Sequence, residues 1–220
     1  MTTYESQAAT NGYSVTPIRG YESYATFAAD IAASSVGQQF AAVRYDNENW
    51  VQTPVNEQQD PATYMMQFTQ LAHAHGYVVI VTPALDLMGV TAAPCHAQSG
   101  ELLSDAFLRC GIPAAAATAD ADVYDIQAQS LQLNTLQYST FARSAAAQAH
   151  AINVDLLVLA GVTTDRAGDT ADNMFSSANA VLGLLPPENI AGFWLNSTAS
   201  DAAQIGIATN FLQQLRAAGY

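Results

Sequence analysis

Short apolar runs alternate with helical patterns along this chain, and each run reads as a strand followed by its helix. Residues 15–18 open the series. The stretch 21–34 then carries Tyr24, Phe27, Ala28 and Ile31 on one helical face. A strand over 40–45 leads into a polar loop, 50–59. Asp60 stands as an N-cap with Pro61 at the first helical position, so a helix runs over 61–75 and stops at Gly76. Further strands fall at 77–82, 122–127, 156–160 and 190–195. Further helices fall at 101–109, 135–152, 171–184 and from the cap Asp201 to residue 216, and 83–99 is a long loop. The all-apolar run 156–160 suits a parallel sheet covered on both faces.

About six βα units result, seven if 112–117 also enters the sheet. The expected fold is α/β, a TIM-type (βα) barrel with fewer than the usual eight strands, and a doubly wound open sheet is the alternative. No linker or internal repeat divides the chain, so an N-terminal extension over 1–14 precedes one domain over 15–220. The extension is polar and lacks the apolar core of an export signal. No apolar run approaches the roughly 18 residues that a membrane span needs.

Three strands end in polar side chains: Arg44-Tyr45-Asp46-Asn47-Glu48, Tyr124-Asp125-Ile126-Gln127-Ala128-Gln129 and Trp194-Leu195-Asn196. In a sheet whose strands each lead to a helix, the carboxyl ends surround the crevice where ligands bind. Alternation along a strand gives Arg44, Asp46 and Glu48 one direction, and Asp125, Gln127 and Gln129 one direction. Two carboxyls in unequal environments are what glycoside cleavage needs, one giving a proton and the other staying ionised. Glu48, beside Trp50, is the expected acid, with Asp46 and Asp125 as ionised partners. An ion pair of Arg44 with Asp46 or Asp125 inside a quiet barrel is the competing explanation. Tyr45, Trp50, Tyr124 and Trp194 lie at or past strand ends, where their rings suit the apolar faces of sugars. Gln127, Asn196, Asp86 and Arg44 complete the expected substrate-binding set. Thr163, Thr164 and Asp165 hold the same strand-end place, as site members or as turn residues.

Charge narrows the partners. The chain of 220 residues carries a net charge of −13, and charged residues make up 11%, against about 25% in an average domain. That balance argues against nucleic acid and anionic membranes. All six basic residues are arginines, so chemistries that need a lysine are excluded: Schiff-base aldolases, pyridoxal-phosphate enzymes and P-loop nucleotidases. Cys95 and Cys110 flank 98–108, and a bridge between them would favour an oxidising, extracytoplasmic setting. His73 and His75 complement a helix dipole rather than bind metal, and His150 reads as a surface residue. No motif calls for a metal or a cofactor.

The segments Tyr45-Asp46-Asn47-Glu48-Asn49-Trp50, Thr53-Pro54-Val55 with Glu57-Gln58, Ala72-His73-Ala74-His75-Gly76, Asp125-Ile126-Gln127-Ala128-Gln129 and Trp194-Leu195-Asn196 resemble an uncharacterised family of secreted actinobacterial proteins. That resemblance runs from about residue 15 onward and implies an exported, barrel-like protein without an assigned activity. The order Asp46-Asn47-Glu48, Tyr124-Asp125 and Trp194 is also similar to family 18 chitinase-like glycosidases. There the glutamate is the acid and the substrate's acetamido group is the nucleophile. The glycine-rich, multi-aspartate run that precedes the glutamate in that family is missing here, and the chain before Asp46 is too short for three βα units.

The expected protein is thus a secreted or extracytoplasmic carbohydrate-active hydrolase acting on a carbohydrate or another polar small molecule or polymer. Three rivals stand beside it: a non-catalytic carbohydrate-binding protein, an extracellular assembly subunit forming homo-oligomers, and a lyase or isomerase holding a divalent cation on Asp46, Glu48 and Asp125. The hydrolase expectation demands that these three carboxylates converge on one solvent-reachable pocket.

Overall fold

The computed structural model describes residues 16–198 and 200–220; the expected extension over 1–14, and Val15, lie outside the described residues. Among the described residues six strands form the sheet: β1 (Ile18–Tyr21), β2 (Ala42–Tyr45), β3 (Val78–Val81), β4 (Val123–Ile126), β5 (Leu157–Thr163) and β6 (Gly192–Asn196). The described helices are α1 (Tyr24–Ala32), α2 (Val55–Gln59), α3 (Pro61–Ala74), α4 (Leu103–Arg109), α5 (Ile112–Thr118), α6 (Thr135–His150), α7 (Ala171–Asn179) and α8 (Ala202–Ala217). Residues 112–117 are therefore helical rather than a seventh strand, and a 3₁₀ turn, Leu85–Gly89, occupies part of the expected long loop.

Every strand is parallel to its neighbours, and the order across the sheet is the order along the chain. A doubly wound sheet reverses its order at a switch point, and no reversal exists among the described strands. Sequential order with right-handed crossovers puts the helices on one face and curls the sheet around the other. The result is a curled, open half-barrel, in which β6 and β1 are the two edges and do not pair with each other among the described residues.

Local chemistry sets the element ends. Ser23 caps α1 by accepting from Thr26 N, so the helix starts after the expected residue 21. Asp60 accepts from Thr63 N, Pro61 begins α3, and Gly76 takes φ +78° beyond its end, where a side chain would be strained. Asp201 accepts from Ala203 N and Gln204 N to start α8. The helix-facing side of the sheet is largely apolar and buried. Tyr45 stacks on Phe68 at 4.9 Å, and Val43, Val79, Val81, Tyr124, Ile126, Val158 and Val162 are buried beside it. This hydrophobic cluster runs from Tyr21 to Phe211. Among the described residues no helix is long and apolar enough to cross a membrane.

Cys95 and Cys110 are joined, closing the segment that contains α4. Arg109 fastens the same loop, bonding Glu101 through Nε at 2.8 Å and Nη2 at 2.7 Å, and the His96 carbonyl at 2.9 Å. The Arg109 guanidinium pulls the Glu101 carboxyl down to about 2. Closing a loop of this length restricts the unfolded chain by about 3 kcal/mol. Replacing both cysteines with serine is expected to lower the unfolding free energy by about that amount, as read from chemical denaturation.

His150 is buried, contrary to the surface position expected for it. Its ring nitrogens lie 2.6 Å from the Pro187 carbonyl oxygen and 3.0 Å from that of Leu156, tying the end of α6 to the entrances of β5 and β6. A polar residue in an alanine-rich helix gave no sign of these distant carbonyls.

Candidate functional site

Alternation along the strands sorts the predicted residues into two sets. Tyr45 and Tyr124 point to the helices, while Arg44, Asp46, Asp125 and Trp194 point to the concave face. Where the strands end, this face opens into a cleft of about 310 Å³. Its polar wall includes Glu48, Asp86, Gln127, Gln129, Asp165 and Asn196. A second cavity of about 460 Å³ lies deeper on the same face, lined by Arg44, Asp125 and Trp194 among apolar side chains. The two are stacked, because Gln127 follows Asp125 by two residues and Asn196 follows Trp194 by two.

Gln127 joins the carboxylates. Its Nε2 donates to Asp46 Oδ1 and Glu48 Oε1, each at 3.0 Å, and to the Thr82 carbonyl oxygen at 2.9 Å. Asp46 and Glu48 therefore lie within two hydrogen-bond lengths of each other. One amide nitrogen has two hydrogens and here faces three acceptors, so a proton on one of the carboxyls relieves the crowding. Asp46 also accepts from Thr82 Oγ1 at 2.9 Å and pairs with Arg44 Nη2 at 3.0 Å. Arg44 in turn lies over the Trp194 ring, 5.3 Å from its centroid, and packs against Gly20.

Burial pushes the Glu48 carboxyl up to about 7; the Gln127 bond opposes this, while Asp46 and Asp86 reinforce it. Burial also raises Asp46, with the Arg44 charge and the Thr82 bond opposing. Asp125 is 1% exposed, and burial drives its carboxyl well above the usual range. The Arg44 charge opposes that rise without outweighing the loss of water, so Asp125 is not the ionised partner expected from sequence. A carboxyl buried in this way is held neutral.

The three predicted carboxylates accordingly do not converge on one pocket, so a hydrolase that uses all three fails its own condition, and only the Glu48–Asp46 pair remains as candidate chemistry. Glu48 lines the upper cleft, Asp46 is bound to it through Gln127, and Asp125 borders the lower cavity. Among the described residues no three His, Cys, Asp or Glu side chains are grouped to hold a metal ion. The predicted aromatic lining is not assembled either. Tyr45 donates to Glu57 Oε2 at 2.7 Å, Tyr124 is fully buried, and Trp50 donates to Thr53 Oγ1 at 2.8 Å. Trp194 lies in the lower cavity. Asp86 and Asn196 do reach the cleft, and Asp86 accepts from Asn49 N at 3.0 Å.

Sequence reasoning missed Thr82, Ser130, Arg166 and Leu103. The last three line the cleft, and Thr82 fixes Asp46. Thr82 follows the buried Val81 and shares the concave parity, a signal readable from alternation. Leu103 and Arg166 arrive from loops and helix starts, where no period applies. Gln132 was missed as well. Its amide donates to the Thr163 carbonyl oxygen and accepts from Thr163 N, both at 2.8 Å, which holds the end of β5 under the cleft.

Gly161 is needed where it stands. A Cβ there would lie 2.8 Å from Gln129 Cδ and 2.9 Å from the Ile126 carbonyl oxygen. Gly161→Ala is expected to cost roughly 1–3 kcal/mol and to push Gln129 into the cleft, visible as a lower melting temperature and shifted Gln129 side-chain amide resonances.

Comparison with known proteins adds no assignment to this geometry. No protein-family model matches the chain, and no curated protein matches it either.

Proposed function

We propose that the upper cleft takes a hydroxyl-rich ligand of the carbohydrate class and that Glu48 serves as the proton donor of a hydrolase acting on it. One observation carries this reading: a glutamic acid raised to about 7 stands in a polar cleft, bonded through one glutamine to a second carboxylate. At neutral pH such a group is part protonated, the state a general acid needs. Carboxamides from Gln127, Gln129 and Asn196 offer both donors and acceptors, which suits sugar hydroxyls.

Asp46 is not the nucleophile in this mechanism. Oδ1 is engaged by Thr82 and Gln127, and Oδ2 by Arg44. Its role is electrostatic, supporting positive charge that develops as Glu48 protonates the leaving oxygen. An attacking water would pass its proton to Asp86 or Asp165, the other carboxylates of the lining. The occupied oxygens of Asp46 also favour a second reading, in which the cleft binds carbohydrate without turnover.

We read the half-barrel as a TIM-type barrel with fewer than eight strands, which is compatible with the ligand cleft at its strand ends. The disulfide suits a secreted or extracytoplasmic protein. Incubation with a panel of soluble oligosaccharides tests the function. Release of reducing ends supports the hydrolase, and saturable shifts of cleft resonances without release support the binding protein. An inert cleft contradicts both.

A further inference from the structure

The lower cavity is chemically unlike the cleft above it. Ile18, Ile80, Leu159, Phe193 and Leu195 supply apolar wall, and its volume of about 460 Å³ is that of a small-molecule pocket. Arg44 is its strongest polar group, yet that charge is paired with Asp46 and laid over Trp194. Asp125 is different. The residue is 1% exposed, it borders the cavity, and its Oδ1 has no hydrogen-bond partner among the described residues. A buried oxygen left unbonded costs roughly 1–3 kcal/mol, a cost that a ligand donor would remove.

We infer that this cavity is a second binding site, for a compact neutral apolar molecule carrying one hydroxyl group, with the hydroxyl donating to Asp125 Oδ1 and the hydrocarbon against Ile80, Leu159 and Trp194. Charge selects a neutral ligand. The Arg44 charge is already paired with Asp46, and the Asp125 carboxyl is too buried to carry a charge, so neither a cation nor an anion finds a free counter-charge there. The site does not depend on the reading of the upper cleft, because its lining and its polar atom are separate from Glu48 and Gln127.

Two isomers make the test: cyclohexylmethanol, which has a donor, and cyclohexyl methyl ether, which does not. The chain has two tryptophans, and the indole N–H resonance of Trp194 is assigned by its survival in Trp50→Phe. In the natural protein the alcohol is expected to shift the Trp194 resonance saturably and to bind at least about fivefold more tightly than the ether, the worth of one neutral hydrogen bond. Asp125→Leu should erase the preference between the isomers. Ile80→Phe, which fills the cavity from another strand, should abolish binding while the circular dichroism spectrum stays native. Absence of saturation, equal affinity for the two isomers, or binding that survives Ile80→Phe would each overturn the assignment.

Discussion

The Glu48→Gln variant is expected to bind its ligand as the natural protein does while turning it over roughly 10²–10⁴-fold more slowly. The amide matches the carboxyl in size and can still accept from Gln127 Nε2 through its oxygen, so the cleft keeps its shape. What disappears is the transferable proton. The pH dependence follows from the same group. Glu48 titrates near 7 in the folded protein, so turnover that needs its protonated form falls as pH rises past about 7. Stability has a sign that can be worked out. The folded protein holds the Glu48 proton more tightly than the unfolded chain, whose value is near 4.5, so it binds more protons between those values. Glu48 therefore favours folding most at low pH, and that contribution is lost as pH rises from 4.5 through about 7. Glu101, lowered to about 2, has its own window below 4.5 and does not interfere. Comparing the natural protein with Glu48→Gln across this range isolates the contribution from general charge repulsion.

Glu57→Ala is expected to destabilise the protein by roughly 3–5 kcal/mol, because it leaves several donors unbonded at about 1–3 kcal/mol for each buried one. Glu57 is 1% exposed, and its carboxylate accepts from Ser23 Oγ at 3.0 Å, Tyr24 N at 2.7 Å, Ala25 N at 3.2 Å and Tyr45 OH at 2.7 Å. Two of these donors are backbone groups of the first turn of α1, where no intrahelical acceptor is available and a negative charge is favoured. The alanine variant strands the buried Ser23 and Tyr45 hydroxyls and leaves the part-buried Tyr24 and Ala25 amides without their acceptor. For a chain of this size the melting temperature should fall by on the order of 10 °C. Glu57→Gln keeps an acceptor and should lose less. A Glu57→Ala protein melting within a degree or two of the natural one would contradict this account of the network.

Much of the fold was legible because its signals are local. Asp60, Pro61, Gly76 and Asp201 act at one helix end each, and the apolar runs around Val79 and Val158 match the buried strands. The expectation of about six βα units agrees with the six parallel strands among the described residues, but closure depends on the meeting of β1 and β6, which no local pattern encodes. The site was legible by half. Parity correctly grouped Arg44, Asp46 and Glu48, and the same parity excludes Tyr45 and Tyr124 from the cleft, since each adjoins an inward-facing residue. Depth along the strand was invisible. Asp125 and Gln127 share a direction, yet one borders an apolar cavity and the other a polar cleft. Glu57 shows the remaining limit: a motif residue whose partners, Ser23 and Tyr24, lie more than thirty positions away.

The most direct measurement is the titration of the Glu48 carboxyl, followed by carbon-13 NMR and assigned by the signal missing in Glu48→Gln. A midpoint near 7, moving when Gln127→Leu removes the bridge to Asp46, is the predicted result. A midpoint near 4.5, unchanged by that substitution, would contradict the claim that Glu48 is the cleft's acid.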